Sequence, residues 1–393
     1  MDTSEDPLHL AVVGCGARAG IAAHAIAGSR AQIVAYVDPA PGAADRVAER
    51  LGAPAPSFES VTALLASAAA PDAALVLSPD DTHATVATEL LRAGVAVYLE
   101  KPMTISTADA DAVLQAAASS GTPLYVGHNM RHMAVVRTMR QIIERGEIGQ
   151  VKAVWCRHFV GHGGDYYFKD WHADRSRSTG LLLQKGAHDL DVIHHLAGGY
   201  TTRVVGMGAL TLYDQISDRR DNSDRTMPDW FDPTGWPPLS LRELNPVIDV
   251  EDLSMVQLHL DNGVLASYQQ CHYTPDYWRN YTVIGTEGRI ENFGDGAGGV
   301  VRLWNQRCGY RAEGDREYPI GGEQAGHGDA DRDTMTEFLD FVTHGSATIT
   351  SPVAARQAVA TAVAATESLR DGSRPRDVPP LPEQVRTHFA ARS

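Results

Sequence analysis

From Leu8 to about Gly127 short apolar runs alternate with alanine-rich stretches of helix length: LHLAVV, QIVAYV, AALVLS, VAVYLE and PLYVG recur with such a spacer between them. Successive parallel strands need a crossover of that length, whereas antiparallel strands are joined by tight turns. The pattern predicts a doubly wound α/β domain, with any ligand outside the carboxyl ends of its strands. Beyond Met130 the rhythm changes. A helix expected over Met133 to Arg145 stops at Gly146, and strand-like VKAVWCRHFV follows. Later runs (RVVGMGALTLY, SMVQLHL, VLASYQQCHY, YTVIG, VRLWN) are parted by turn signals such as Asp261-Asn262-Gly263 and Thr286-Glu287-Gly288, and predict an antiparallel sheet. Two domains are expected, 1–128 and 129–393, because 393 residues exceed the ~250 to 300 at which one core stops growing.

The charge balance narrows the function classes. Lys plus Arg number 34 against 49 Asp plus Glu, a net −15, the wrong sign for a chain that neutralises phosphates of nucleic acid or an anionic membrane. The cysteines Cys15, Cys156, Cys271 and Cys308 form no C-x-x-C pair, the start Met1 to Pro7 is acidic, and no run of about 18 apolar residues occurs. A cytoplasmic protein is expected. Only Lys101, Lys152, Lys169 and Lys185 are lysines. Arginine does not deprotonate and lysine does, so each of these four draws attention as a candidate for chemistry.

Gly14-Cys15-Gly16-Ala17-Arg18-Ala19 follows LHLAVV directly and opens a helix, the context a dinucleotide fingerprint requires. Gly14 serves the tight turn, Gly16 the close approach of a pyrophosphate, and Ala19 takes the third small position. Asp38 ends the next strand, where a carboxylate accepts from an adenosine ribose and repels a 2′-phosphate. NAD is expected in preference to NADP. Glu100-Lys101-Pro102 closes VAVYL, so Lys101 is expected at the ligand crevice, held extended by Pro102.

With Ser78-Pro79-Asp80-Asp81-Thr82-His83, Asn129-Met130-Arg131 and Lys185-Gly186-Ala187-His188-Asp189-Leu190-Asp191 added in that order, the sequence resembles the glucose-fructose oxidoreductase and inositol dehydrogenase (Gfo/Idh/MocA) family along nearly its whole length. The resemblance implies an N-terminal Rossmann domain and a C-terminal α/β domain with a large open, mainly antiparallel sheet. It also implies bound NAD or NADP, chemistry on sugar or cyclitol hydroxyls, and a homodimer or homotetramer. Residue by residue, it gives Lys101 a place between nicotinamide and substrate hydroxyl and makes His188 the catalytic histidine. Ser78, Pro79, His83 and Asn129 fall beside the cofactor with Glu100 and Arg18, and Arg131, in the segment of Asn129, is expected on the substrate. Many members carry a carboxylate four residues before that histidine; here Gln184 stands there and cannot accept a proton.

Tyr166, Trp171, His172 and Lys185 are candidate substrate contacts, since aromatic faces and polar tips complement sugar rings. His188, Asp191 and His195 share a helix face, but two histidines and one carboxylate are a minimal set, and no metal is expected. His327 precedes a helix that Asp331 or Asp333 is expected to cap. The polar stretch from Tyr213 to Val250 is read as a lid, an interface arm or disordered, with a surface excursion on buried aromatic anchors as the plainer reading, and the tail after Gly372 as extended. Three function classes remain: a dehydrogenase of ring hydroxyls, a redox-neutral glycosidase or epimerase with transient oxidation, and a non-catalytic NAD-dependent sensor. Lys101 and His188 together disfavour the last.

Overall fold

The computed structural model describes residues 7–322 and 328–390. Its parallel sheet contains β1 (Leu8–Val13), β2 (Ala31–Val37), β3 (Ser57–Phe58), β4 (Ala73–Val76), β5 (Ala96–Leu99) and β6 (Leu124–Val126), ordered β3-β2-β1-β4-β5-β6. The direction of winding reverses between β1 and β4, where ligand crevices open in such sheets. β4, β5 and β6 are buried along their whole length, which is why they read as unbroken apolar runs. β3, two residues long, carries too little pattern to be read from sequence.

The compact unit around this sheet is not the single stretch 1–128. Described residues up to Asn129 cluster with Asp331–Arg356 and with those from Leu381 onward, while the described residues of 130–330 and Gln357–Pro380 form the second unit. The Gly328–His344 helix supplies a reason, because its Met335, Phe338 and Leu339 enter the first unit's core. Phe338 meets Tyr98 edge-on at 5.5 Å, and Glu337 accepts from Tyr125 Oη at 2.6 Å. Amphipathic spacing marks a helix as half-buried without saying which core it joins.

The second unit holds a nine-stranded sheet of β7 (Val151–Phe159), β8 (Thr201–Ala209), β9 (Leu253–Leu260), β10 (Leu265–Cys271), β11 (Trp278–Gly285), β12 (Arg289–Phe293), β13 (Val300–Trp304), β14 (Arg316–Pro319) and β15 (Arg376–Asp377). The order is β14-β13-β12-β11-β7-β10-β9-β8-β15, antiparallel throughout except where β10 runs parallel to β7. Alternation along β9 buries Ser254, Val256, Leu258 and Leu260 and exposes Met255, Gln257 and His259. The Gly186–Ala197 helix covers the buried face at β7 and β10.

The stretch between Tyr213 and Val250 is an ordered excursion on aromatic anchors. Tyr213 stacks on Phe168 at 4.2 Å, Phe231 stacks on Tyr166 at 5.5 Å, and Trp230 Nε1 donates to the Asp165 carbonyl at 2.8 Å. Its Leu241 and Leu244 share a core cluster with Val160, Phe168 and Leu181, so it buttresses the loop region between β7 and the Gly186–Ala197 helix. The tail after Gly372 is not extended throughout. It forms β15 and then a helix, Glu383–Ala390, that packs on the Thr107–Ser120 helix. Proline just before a helix is compatible with its first turn, so the run of prolines masked this one. Among the described residues no helix is long and apolar enough to cross a membrane.

Candidate active site

In the first unit the chain turns after β1 at Gly14, whose φ is +92°. A Cβ there would lie 2.4 Å from the Ser78 nitrogen, so only glycine lets the two loops touch. Gly16 differs: no atom lies within 4 Å of its Cβ position, which leaves open space before the loop. Ala17–Ile21 then winds as a 3₁₀ turn into a short α-helix at Ala22–Ile26, with Ala19 buried. Asp38, just past β2, accepts the Cys15 N–H at 2.7 Å on one oxygen and the Ala40 N–H at 2.8 Å on the other. It therefore braces the glycine loop, and each oxygen keeps a lone pair. Burial, reinforced by Asp38, pushes the Cys15 thiol up to about 12, which makes it filling and not a nucleophile.

Ser78 Oγ shares a 2.6 Å hydrogen bond with Thr82. His83 is buried between the Pro102 carbonyl, 2.8 Å from Nδ1, and the Ser78 carbonyl, 2.9 Å from Nε2. Both ring nitrogens face main chain, so His83, expected beside the cofactor, is a strut between the loops that carry Ser78-Pro79 and Lys101. Burial lowers its pKa. Half-buried Lys101 follows β5, and its peptide bond to Pro102 is cis.

Glu100 accepts from the Lys101 N–H at 2.6 Å and from Arg18 Nε. The other edge of Arg18 is bidentate to Asp331, at 2.6 and 2.8 Å. Arg18, expected on the cofactor, is thus held between two carboxylates. Asn129 Nδ2 donates to Asp331 at 2.6 Å, which leaves its buried Oδ1 with no hydrogen-bond partner. Asp331, expected to cap a helix, is the hub of this cluster, and no local signal could have joined it to Arg18. His327 lies outside the described residues.

In the second unit Gln184, Lys185, His188, Asp189 and Asp191 are all buried. Asp191 is taken by Arg131, whose Nε and Nη2 each lie 2.7 Å from one of its oxygens. Arg131, expected on the substrate, forms a buried bidentate pair that ties its own turn to the Gly186–Ala197 helix.

Asp189 points toward the sheet. Its oxygens receive Tyr281 Oη at 2.5 Å, Tyr268 Oη at 3.0 Å and His158 Nδ1 at 3.0 Å, with Arg279 Nε at 3.1 Å. Strand register explains the convergence, since Gln270, His158 and Arg279 are lateral partners across β10, β7 and β11, and Tyr268, Cys156 and Tyr281 form the rung beside them. Against the upward pull of burial, His158 and Arg279 hold the Asp189 carboxyl well below the usual range. Burial, then Arg279, lowers His158 to about 3, so its neutral ring donates Nδ1–H to Asp189 and presents a bare Nε2.

The rung that contains His158 carries polar atoms without a hydrogen-bond partner: Ser254 Oγ, Gln270 Nε2, His158 Nε2 and Arg279 Nη2, with both ring nitrogens of the adjoining His272. Lys185 Nζ lies 3.4 Å from Tyr277 Oη and 5.8 Å from the ring centres of Tyr167 and Tyr277. Burial, then Arg279, lowers its pKa to about 7. Trp171 lies flat on His172 at 3.8 Å, and Tyr167 stands edge-on to His172 and His272. Tyr166 is packed on Phe231. Sequence reasoning missed His158, Gln270 and Arg279, whose signal was one polar residue at an inward position of each strand.

Residues 8–128 match the family described as an oxidoreductase family with an NAD-binding Rossmann fold, and residues 140–378 match its C-terminal alpha/beta domain. Inositol 2-dehydrogenase of Rhizobium meliloti (strain 1021) is 29 % identical over 213 residues, 53 % of this chain and 61 % of its own length. UDP-N-acetylglucosamine 3-dehydrogenase of Acidithiobacillus ferrooxidans is 30 % identical over 161 residues, 39 % of this chain and 45 % of its own. The aligned part thus spans less than two thirds of these relatives' length. Levoglucosan dehydrogenase, solved with NADH and levoglucosan, shares the fold with a TM-score of 0.76 at 18 % identity, over 95 % of this chain and 100 % of that one. With both of its domains matched across most of the sequence, the chain belongs to the Gfo/Idh/MocA oxidoreductase family.

Proposed function

We propose that the protein is an NAD-dependent dehydrogenase that oxidises a ring hydroxyl, or reduces the matching ketone, of a sugar, glycoside or cyclitol. The observation that carries the substrate class is the buried rung of Ser254, Gln270, His158 and Arg279, each of which keeps a donor or acceptor atom without a protein hydrogen-bond partner. Buried polar groups are otherwise satisfied, and a polyol, whose hydroxyls each donate and accept, matches such a mixed set. The relatives named for inositol and for a nucleotide sugar support the same class.

The first unit fits the dinucleotide. Gly14 and Gly16 keep its loop tight and open, Asp38 retains acceptor capacity for a ribose, and Asn129 Oδ1 is an orphaned buried acceptor. Bound there, NAD supplies the hydride acceptor that no side chain can. The Asp38 charge favours it over NADP. His188 takes the hydroxyl proton, and Lys101 hydrogen-bonds the oxygen as alkoxide character develops. Gln184 holds its place without accepting a proton. Trp155, Met207, Met255 and Leu265 stand exposed on the open sheet face, which supports a homodimer or homotetramer. Four free cysteines support a reducing, cytoplasmic setting.

The experiment is a panel of sugars, inositols and glycosides with NAD or NADP, read at the reduced-nicotinamide absorbance band. A rise with NAD and at least one polyol is expected. A clear preference for NADP contradicts the role of Asp38, and silence across the panel contradicts the substrate class.

A further inference from the structure

Lys185 is 5 % exposed, and among the described residues no carboxylate oxygen lies within 4.0 Å of its ammonium. Its one hydrogen bond is the long contact with Tyr277 Oη. Lysine is almost never buried without a partner, because an unpaired ammonium in a poorly polar site is costly. The contrast with Lys169 is direct: also buried, that lysine lies 2.9 Å from Asp165.

Two further groups beside Lys185 lack partners. Arg279 Nη2 has no hydrogen-bond acceptor although its Nε faces Asp189, and His272, 0 % exposed, has none on either ring nitrogen. Asp189 offers no spare capacity, since tyrosine, histidine and arginine groups already crowd both its oxygens. Asp295 accepts the Arg279 backbone N–H at 2.9 Å and lies 3.8 Å from Nη1, so it faces the other edge of that guanidinium. The donors of Lys185 and Arg279 therefore outnumber the local acceptors. Tyr277, 38 % exposed, contacts Lys185, Arg279 and His158 through its ring and is the cluster's boundary toward solvent.

We propose that Lys185, with Arg279 and His272 beside it, binds a carboxylate on the substrate, so that the preferred sugar is a uronic acid. This rests on the dehydrogenase reading above and narrows it. An entering carboxylate supplies the missing counter-charge and accepts from Arg279 Nη2. The groups that face Lys185 are Arg279 from β11, Asp189 from its own helix, Asp295 beyond β12, and His158 and His272 from β7 and the end of β10. With its pKa near 7, Lys185 gains a proton as the anion binds, and affinity falls as pH rises above that value.

The test compares D-glucuronate and D-galacturonate with D-glucose, D-galactose and myo-inositol on the full chain with saturating NAD, by calorimetry and thermal shift. An acid is expected to bind more tightly than its neutral counterpart, with proton uptake at pH 8 revealed by two buffers of different ionisation enthalpy. Lys185→Met should weaken the acid by roughly 30-fold or more and its neutral counterpart far less. The same variant without sugar should melt no lower than the parent, because removing an unpaired buried charge relieves a cost; a lower melting point would show that Lys185 is structural. Neutral sugars bound and oxidised while the acids are ignored overturns the carboxylate inference and spares the dehydrogenase. Acids bound equally by parent and Lys185→Met also overturns it. No binding and no oxidation of any of the five overturns both.

Discussion

Around Gly14 the charged side chains are held within the protein, with Arg18 between Glu100 and Asp331 and His83 between two main-chain carbonyls, and Asn129 Oδ1 is left as an open acceptor. On the sheet beneath the Gly186–Ala197 helix the reverse holds, and buried atoms of Ser254, Gln270, His158, Arg279 and His272 lack partners. The first region is a closed scaffold that presents glycine backbone and a few carboxylate lone pairs, as suits a cofactor gripped largely by main chain. The second is an unfinished polar surface. Its desolvation cost is uncompensated within the protein, and on the proposed function a ligand's own hydroxyls and charge complete the network.

The largest effect should come from the second region. His188→Ala should lower turnover by about 10² to 10⁴ while NAD affinity stays nearly intact, as steady-state kinetics and cofactor titration would show. Parental turnover would remove His188 from the proton path. Next, Asp189→Ala strips the anion that holds Arg279 and His158, and should cost about 3 to 5 kcal/mol in denaturant unfolding. A loss below 1 kcal/mol would show the network to be slack.

Acid should probe the same contrast. The pKa of Asp189 is depressed in the fold, so its contribution is present above the ordinary value of about 4 and is lost as pH falls further. His158, ordinarily near 6.5 and about 3 here, must stay neutral, so its penalty grows as pH drops through 6.5. Melting temperature should therefore decline between about pH 6.5 and 3; a flat profile over that range would contradict the buried network.

The fingerprint loop, Asp38 and the parallel strands were legible because their signals are local: a turn needing Gly14, a carboxylate one strand later, apolar runs buried on both faces. The sheet rung was not. His158, Gln270 and Arg279 come from three strands and meet only through register, so each looked like one polar residue in an alternating run. Asp331 was hidden similarly, 313 residues from the arginine it holds. Arg131 and His83 stood where the family pattern led one to expect ligand contacts, yet their partners are internal. Position in a motif specifies where a side chain starts, and burial among charges decides what it is free to do.

Two smaller effects sharpen the cofactor side. Lys101→Arg keeps the charge but cannot deprotonate, so partial activity where Lys101→Ala has lost about two decades would assign an electrostatic role. Asp38→Ala should narrow the preference for NAD over NADP by roughly 1.5 to 3 kcal/mol in paired titrations; an unchanged ratio would leave Asp38 a loop brace alone.

Net hydride transfer from a ring carbon to NAD separates the proposed dehydrogenase from a redox-neutral enzyme. Its most direct test follows substrate loss and reduced-nicotinamide absorbance together in one reaction with the first polyol found to bind. Accumulation of NADH in step with substrate consumed, and absent from His188→Ala, is the predicted result. Substrate converted while no NADH accumulates would contradict the claim and establish a redox-neutral reaction in its place.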